Sequence, residues 1–454
     1  MKRTICVITL ICIMVCNITG CGMNLYTSSN MQITSSDIEQ PKNSSEKEEV
    51  ESTKSEVATS NTSKKQSISI LPKKTKDLTK DIETTKIDKV KIDQKFVVAS
   101  YSSAIGLFKE SLDKGKNTLI SPLSMQLSLA LATNGAKGET KTEMEKVLGG
   151  LSIEDLNGYY STYLKSIKND DFCKLNIANS IWVNDEFSAK KTFLKTAKNN
   201  YSAQIFNAPF NKSTVKDVNK WVKKNTDKMI EEMIDNIDKD AMLFIINAIV
   251  FDAKWDITFN GYSTKHGKFT NYKGKKQTVE MMNSTEYIYL QDGEDAEGFV
   301  KDYSGEKYSF AALLPNEDID FYEYINSLNA EKLYEIIKNV RGQEVDIKMP
   351  KFNYDYSYDM KNALKSFGIK EAFKPSANFT KLSTEPVFIS EVLHKTVINV
   401  DEGGTRAAAA SNVTVGKAAS MPPEKQVILN RPFIYMIIDN TTKIPIFIGT
   451  VVDL

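Results

Sequence analysis

A chain of 454 residues, 41% apolar and 26% charged, has a globular composition with room for a large core. Its 59 Lys+Arg against 58 Asp+Glu leave a net charge of +1, which excludes the basic excess expected of a nucleic-acid binder. Two histidines leave little material for a histidine-based metal site or proton relay.

Four of the five cysteines, Cys6, Cys12, Cys16 and Cys21, fall within the first 21 residues. That segment has a basic start (Lys2, Arg3), an apolar run from Ile5 to Val15 and small residues before Cys21. It reads as a secretory signal over residues 1–20, too short for a stable membrane span. The junction Ile18-Thr19-Gly20-Cys21 resembles the bacterial lipobox, which implies lipidation of Cys21; the plainer reading is an ordinary signal peptide with incidental cysteines. Removing residues 1–20 takes Lys2 and Arg3, so the count becomes 57 against 58, and Cys173 is left without a cysteine in the folded part to pair with. Two acyl chains supply the anchoring that one cannot.

Residues 21–95 are rich in Ser, Thr, Lys, Glu and Asp, with Tyr26 as the only aromatic before Phe96. Such a stretch buries too little apolar area to offset the entropy of ordering, so it reads as a flexible tether. The expected localisation is extracytoplasmic, lipid-anchored to a bacterial membrane, or secreted if the tether is cut.

Residues 96–454 read as one domain without a second linker or an internal repeat. Helical periodicity spans Val97–Leu112. Ser121-Pro122 is a helix start, with an N-cap hydroxyl and proline at the first position, and that helix runs to about Thr133. Thr140 and Glu143 have capping-box spacing for a helix ended by Gly149-Gly150, and Ser213 opens another with Val215, Val218 and Val222 near one face. Leu243–Phe251 is almost wholly apolar, as in a strand buried on both faces, yet Asn247 interrupts it and must find partners. Ser309–Leu314, Val345–Met349 and Val427–Leu429 are shorter strands, and Phe433–Ile438 with Ile444–Val452 read as a hairpin. Helices come first and strands later, so the class is α+β.

Between the strands Lys395–Val400 and Val427–Leu429 lies DEGGTRAAAASNVTVGKAASMPPEK. A connection this long is rare in a compact domain unless functional or disordered. Alternate residues from Thr405 (Thr405, Ala407, Ala409, Ser411, Val413, Val415) are small, then branched, while the other set carries Arg406 and Asn412. That is the pattern of a strand without a sheet; a plain flexible Ala/Ser loop fits the composition as well.

At these residues the chain resembles the serpins. The landmarks occur in family order: Ser121-Pro122-Leu123-Ser124, Gly135 to Gly138 with Thr140, Ile177 to Val183, Val218 to Val222, Asn247 through Trp255, Pro350-Lys351, Phe433, and Phe447-x-Gly449-x-Val451. The resemblance covers residues 96–454 and implies about nine helices, three β-sheets (one large and five-stranded) and an exposed reactive-centre loop. It also implies a suicide-substrate mechanism. A serine protease attacks the loop and forms an acyl-enzyme; the cleaved loop then inserts into the large sheet and drags the protease out of register with its own oxyanion hole. Such a chain acts as a monomer in a covalent 1:1 complex, with no catalytic residues, metal or cofactor of its own.

By the same resemblance Glu402, Gly403, Gly404, Thr405 and Ala407, Ala408, Ala409, Ala410 form the hinge. They include no proline, and no charge falls on the inward set, so nothing in them opposes insertion. Ser121, Ser124, Asn247 and His394 match the shutter cluster, with His394 as a structural histidine. Trp255, Lys351 and Glu402 match the breach cluster; His266 reads as a surface residue and Cys173 as a buried thiol. Counting from Glu402 puts the scissile bond at Ala418–Ala419, and counting back from Pro422-Pro423 gives Ala419–Ser420. Either suits an elastase- or subtilisin-like protease, while Lys417 offers a trypsin-like site one residue away. The remaining alternatives are a non-inhibitory binding protein of this fold, an inhibitor of trypsin-like or cysteine proteases, and an extracytoplasmic lipoprotein enzyme, for which the sequence supplies no G-x-S-x-G, H-E-x-x-H or phosphate-loop motif.

Overall fold

The computed structural model describes residues 74–405 and 423–454. The described chain opens with a two-residue strand β1 (Lys76–Asp77) and helix α1 (Gln94–Glu110). Strand β2 (Thr118–Ile120) leads into α2 (Pro122–Thr133), α3 (Gly138–Val147) and α4 (Ile153–Ser166). Then come β3 (Cys173–Asn184), α5 (Lys191–Tyr201), β4 (Gln204–Ala208), α6 (Lys212–Asn225) and β5 (Leu243–Lys254). An antiparallel meander of β6 (Lys265–Thr270), β7 (Lys276–Asp292), β8 (Ala296–Asp302) and β9 (Tyr308–Pro315) precedes α7 (Phe321–Ser327) and α8 (Ala330–Lys338). The remainder is β10 (Arg341–Pro350), β11 (Phe352–Asp359), α9 (Lys361–Phe367), β12 (Ile389–Val400), β13 (Gly404–Thr405), β14 (Lys425–Ile428), β15 (Phe433–Asp439) and β16 (Pro445–Val451).

The strands form two sheets, ordered β1-β4-β3-β5-β13-β12-β11 and β14-β10-β7-β8-β9-β15-β16-β2, with β6 on β7. The first has five long strands and two short additions. The second holds both of the smaller sheets that the resemblance implies, because the 17-residue β7 pairs with β6 over its start (Lys276–Met281), with β10 through its middle (Met281–Tyr289) and with β8 at its end (Ile288–Asp292). Helix α2 is buried on every side, so it forms the centre of the molecule rather than a surface layer. Its start is the one expected: Ser121 Oγ accepts from Ser124 N at 3.3 Å, with Pro122 at the first helical position.

The run Leu243–Phe251 is apolar on both faces for a visible reason. Leu243, Ile245, Ile249, Phe251 and Ala253 enter the main core, whereas Phe244, Ile246 and Ala248 pack under α6 with Trp221 and Val222. The segment after α6 is strapped across the same face: the Asn219 side chain accepts from Met233 N and Ile234 N, and Lys395 Nζ donates to Glu232 O.

Three local expectations are corrected. Residues 74–95, assigned to the tether, are built onto the domain: β1 adds antiparallel to the edge strand β4, Leu78 N donates to Ile205 O, and Asp93 caps α1. Thr79 is buried, and Ile82 and Ile92 pack against the core. Thr140 does not begin a capping box; α3 starts three residues earlier, after Lys137, and the Thr140 hydroxyl instead accepts from Asn378 N. Helix α6, expected to open at Ser213, begins at Lys212 and is capped by Asn211, whose backbone N–H donates in return to the Thr214 hydroxyl. Residues 1–73, including the signal segment and Cys21, lie outside the described residues, as do 406–422 with Ala407–Ala410, Lys417, Ala418, Ala419 and Ser420. Among the described residues no helix is long and apolar enough to cross a membrane.

Candidate functional site: the hinge, the breach and the shutter

The site lies where β12 ends. Asp401 reverses the chain: its side chain accepts from Gly403 N at 2.8 Å and Gly404 N at 3.3 Å, and its own N–H donates to Gly404 O. The two residues that follow are already in the large sheet. Gly404 pairs with Lys254 and Thr405 with Ala253 on β5, and Thr405 pairs with Val400 on β12. Glycine is required here, since a Cβ on Gly404 would stand 2.1 Å from Ala253 O. Thr405 is buried with its hydroxyl 2.5 Å from the Tyr303 phenol, so its side chain points inward, the face its alternation implies.

Lower down, β5 and β12 pair directly and in parallel, from Ile389↔Leu243 to Lys395↔Ala248. The sheet is therefore closed over its lower half and split by β13 at the top. This is a native-type arrangement with a two-residue start to an additional strand.

Around the split the structure brings Trp255, Lys351 and Glu402 together. Trp255 donates from its backbone to Gly403 O (3.0 Å) and from its indole to Asp401 O (2.9 Å). Glu402 Oε1 meets Lys351 Nζ at 2.8 Å and Thr264 Oγ1 at 2.8 Å, and Lys351 also reaches Glu280 at 3.3 Å. Partial burial opposes ionisation of Glu402, but hydrogen bonds from Lys351, backbone and Thr264 outweigh it and hold the carboxyl below its usual range.

Six rows below, Asn247 and His394 face each other across β5 and β12. Ser121 N donates to His394 Nε2 at 3.1 Å, so the proton sits on Nδ1, which donates to Asn247 Oδ1 at 2.6 Å. The Asn247 amide donates to Ser124 O at 2.9 Å, to the Ser124 hydroxyl, and to Asn179 Oδ1 at 2.6 Å. Burial pushes the His394 pKa down to about 3, and with Nε2 accepting, the ring is neutral. His266 is exposed. Cys173 is buried, and burial with nearby Asp170 pushes its thiol up to about 12, which makes it a poor nucleophile.

Tyr303, Phe259, Thr264, Glu280 and Asn179 also hold this region and were not singled out from the sequence. Asn179 lies on β3 and Tyr303 just past the end of β8, bridged to Trp255, and the sequence pattern gives neither a partner. Thr264 and Phe259 sit in the irregular stretch after Trp255, where a polar and an aromatic residue near a predicted breach residue were the one available signal.

The serpin family profile, described as serine protease inhibitor, matches residues 99–454. This chain belongs to the serpins. An uncharacterized serpin-like protein of Thermococcus kodakarensis is 30% identical over 82% of this chain and 89% of its own length. The thermophilic serpin tengpin in its native state superposes with a TM-score of 0.81 at 45% identity, covering 84% of this chain and 100% of tengpin. Its latent state scores 0.72 at 43% identity over 81% of this chain and 100% of that one. Serpins are in general protease inhibitors rather than catalytic enzymes, and they typically form covalent complexes with their targets.

Proposed function

We propose that this serpin is a suicide-substrate inhibitor of serine proteases, with elastase- or subtilisin-like enzymes as targets and Ala418–Ala419 or Ala419–Ser420 as the reactive bond. The observation that carries the reading is Thr405, buried between β5 and β12 above a closed sheet, with Gly404 fitted against Ala253. A hinge that had no inserting to do would need neither the glycine nor the buried threonine.

In the inserted state, continuing this register down both strands would set Arg406 between Asp252 and Asn399, on the face away from the main core. Six steps from Thr405 it would set Ser411 between Asn247 and His394. The inserting strand would thus separate the His394–Asn247 hydrogen bond and supply a hydroxyl to bridge the two. Rows as far as Ala409 would add two ladders where β5 and β12 are already apart, and rows from Ala410 on would replace a β5–β12 pair by two. With the small apolar side chains buried on the way, the inserted state lies lower in free energy. The acyl-enzyme is carried along, and its deacylation machinery is pulled out of alignment.

The sequence supports a second part of the reading: lipidation at Cys21 and a tether, shortened now to about residues 22–73, that holds the inhibitor outside a bacterial membrane. Comparing thermal unfolding of the intact and loop-cleaved protein tests the stored energy. The cleaved form melts well above the intact one; equal melting temperatures would end the inhibitory reading.

A further inference from the structure

Beneath the hinge lies a buried ion pair that the breach and shutter do not use. Lys301, on β8, is 1% exposed at its side chain, and its Nζ lies 2.6 Å from Glu286 Oε1 on β7, itself 10% exposed. Glu286 also accepts from the Ser284 hydroxyl. The ammonium sits over two aromatic rings, 4.5 Å from the centroid of Phe259 and 5.6 Å from that of Trp255, and those rings meet edge to face at 6.1 Å. The same two residues seat the hinge, since Phe259 N donates to Glu402 O and Trp255 N to Gly403 O, both at 3.0 Å.

We propose that the Lys301–Glu286 pair is a positioning device for loop insertion: it fixes Phe259 and Trp255 so that their backbone N–H groups hold the hinge at its two-residue start. A buried ion pair adds little net stability over apolar residues of equal volume, so bulk stabilisation does not account for its presence. What it supplies is direction. An ammonium held by a carboxylate on a rigid strand attracts the faces of both rings, and an aliphatic side chain would leave those rings free to slide. Lys301 touches no reacting atom; it acts through Phe259 and Trp255. With the start held, insertion after cleavage begins without a search, and the acyl-enzyme is trapped before it deacylates.

The proposal rests on the inhibitory reading for its consequence but not for its geometry, so two measurements separate them. In the full chain, Lys301→Met with Glu286→Met replaces the pair by apolar side chains of similar size. Hydrogen exchange, which needs no protease, is expected to speed at least tenfold at the Trp255 and Phe259 amides while amides in β9 and β15 keep their protection. Retained protection of both amides overturns the proposal. Should the double variant not fold, Glu286→Gln keeps the volume and carries the same exchange test. In the second measurement, the double variant consumes at least three times more inhibitor per protease trapped than wild type, with loop-cleaved forms that melt alike. An unchanged ratio overturns the claimed role in insertion even if the seating holds, and a wild type that traps no protease refutes the inhibitory reading and leaves exchange to decide the seating.

Discussion

The Tyr303 hydroxyl and Thr405 Oγ1 lie 2.5 Å apart, both buried, and this contact ties the hinge to the second sheet. Thr405→Arg would force a guanidinium into the buried position now held by a hydroxyl against the Tyr303 phenol, at a cost of several kcal/mol. The expected result is a protein that proteases cleave as a substrate, with covalent complex reduced to a trace on a denaturing gel. Complex yield equal to wild type would contradict the inward placement of Thr405.

The register of β13 makes a separate prediction about a residue well down the loop. Ser411→Ala should leave the intact protein unaltered, because its proposed partners Asn247 and His394 are already bonded to each other. In the cleaved form the same change would leave the separated Asn247 and His394 groups unbridged, a loss of about 1–3 kcal/mol. The check is a lower melting temperature for the cleaved variant alone.

His394 sets a pH dependence. Its folded pKa is depressed to about 3 from an ordinary 6.5, so between those values the unfolded chain binds the extra proton. The stability it contributes is complete above pH 6.5 and declines as pH falls, by about 1.4 kcal/mol per unit. Between pH 7.5 and pH 5, wild type should lose about 2 kcal/mol more unfolding free energy than His394→Gln, as measured in urea. Parallel curves would mean that His394 titrates normally.

The segment before α1 is predicted to be part of the fold. A chain beginning at residue 74 should melt within about 2 °C of the full-length protein, whereas one beginning at residue 94 should melt about 5 °C lower or more. The second deletion removes β1 from the edge of β4, the buried Thr79, the apolar contacts of Ile82 and Ile92, and the Asp93 cap. Equal melting temperatures would show that residues 74–93 add nothing.

That segment also marks where sequence reasoning reached its limit. Ser121-Pro122, the apolar β5 run and the partnered Asn247 were legible because caps, double-sided burial and a polar break are local signals. Residues 74–93 are polar and become ordered by pairing their backbone with a sheet edge that already exists, which no composition reveals. Thr140 has capping spacing, but α3 begins at Gly138 with a φ of +55° that glycine tolerates, and this outranks the side-chain signal. Lys301 and Glu286 are 15 residues apart on neighbouring strands, and only the sheet brings them together. The hinge was readable in outline from its small residues and alternation, yet that two of its residues already lie in the sheet is a property of the β5–β12 split.

The central claim is that the loop is bait for an irreversible trap. Incubation with elastase-, subtilisin- and trypsin-like serine proteases, followed by denaturing electrophoresis and mass spectrometry, tests it most directly. The account predicts a denaturant-resistant 1:1 complex and a released C-terminal fragment beginning at Ala419 or Ser420. Cleavage at that bond with no complex, at any protease ratio, would contradict it.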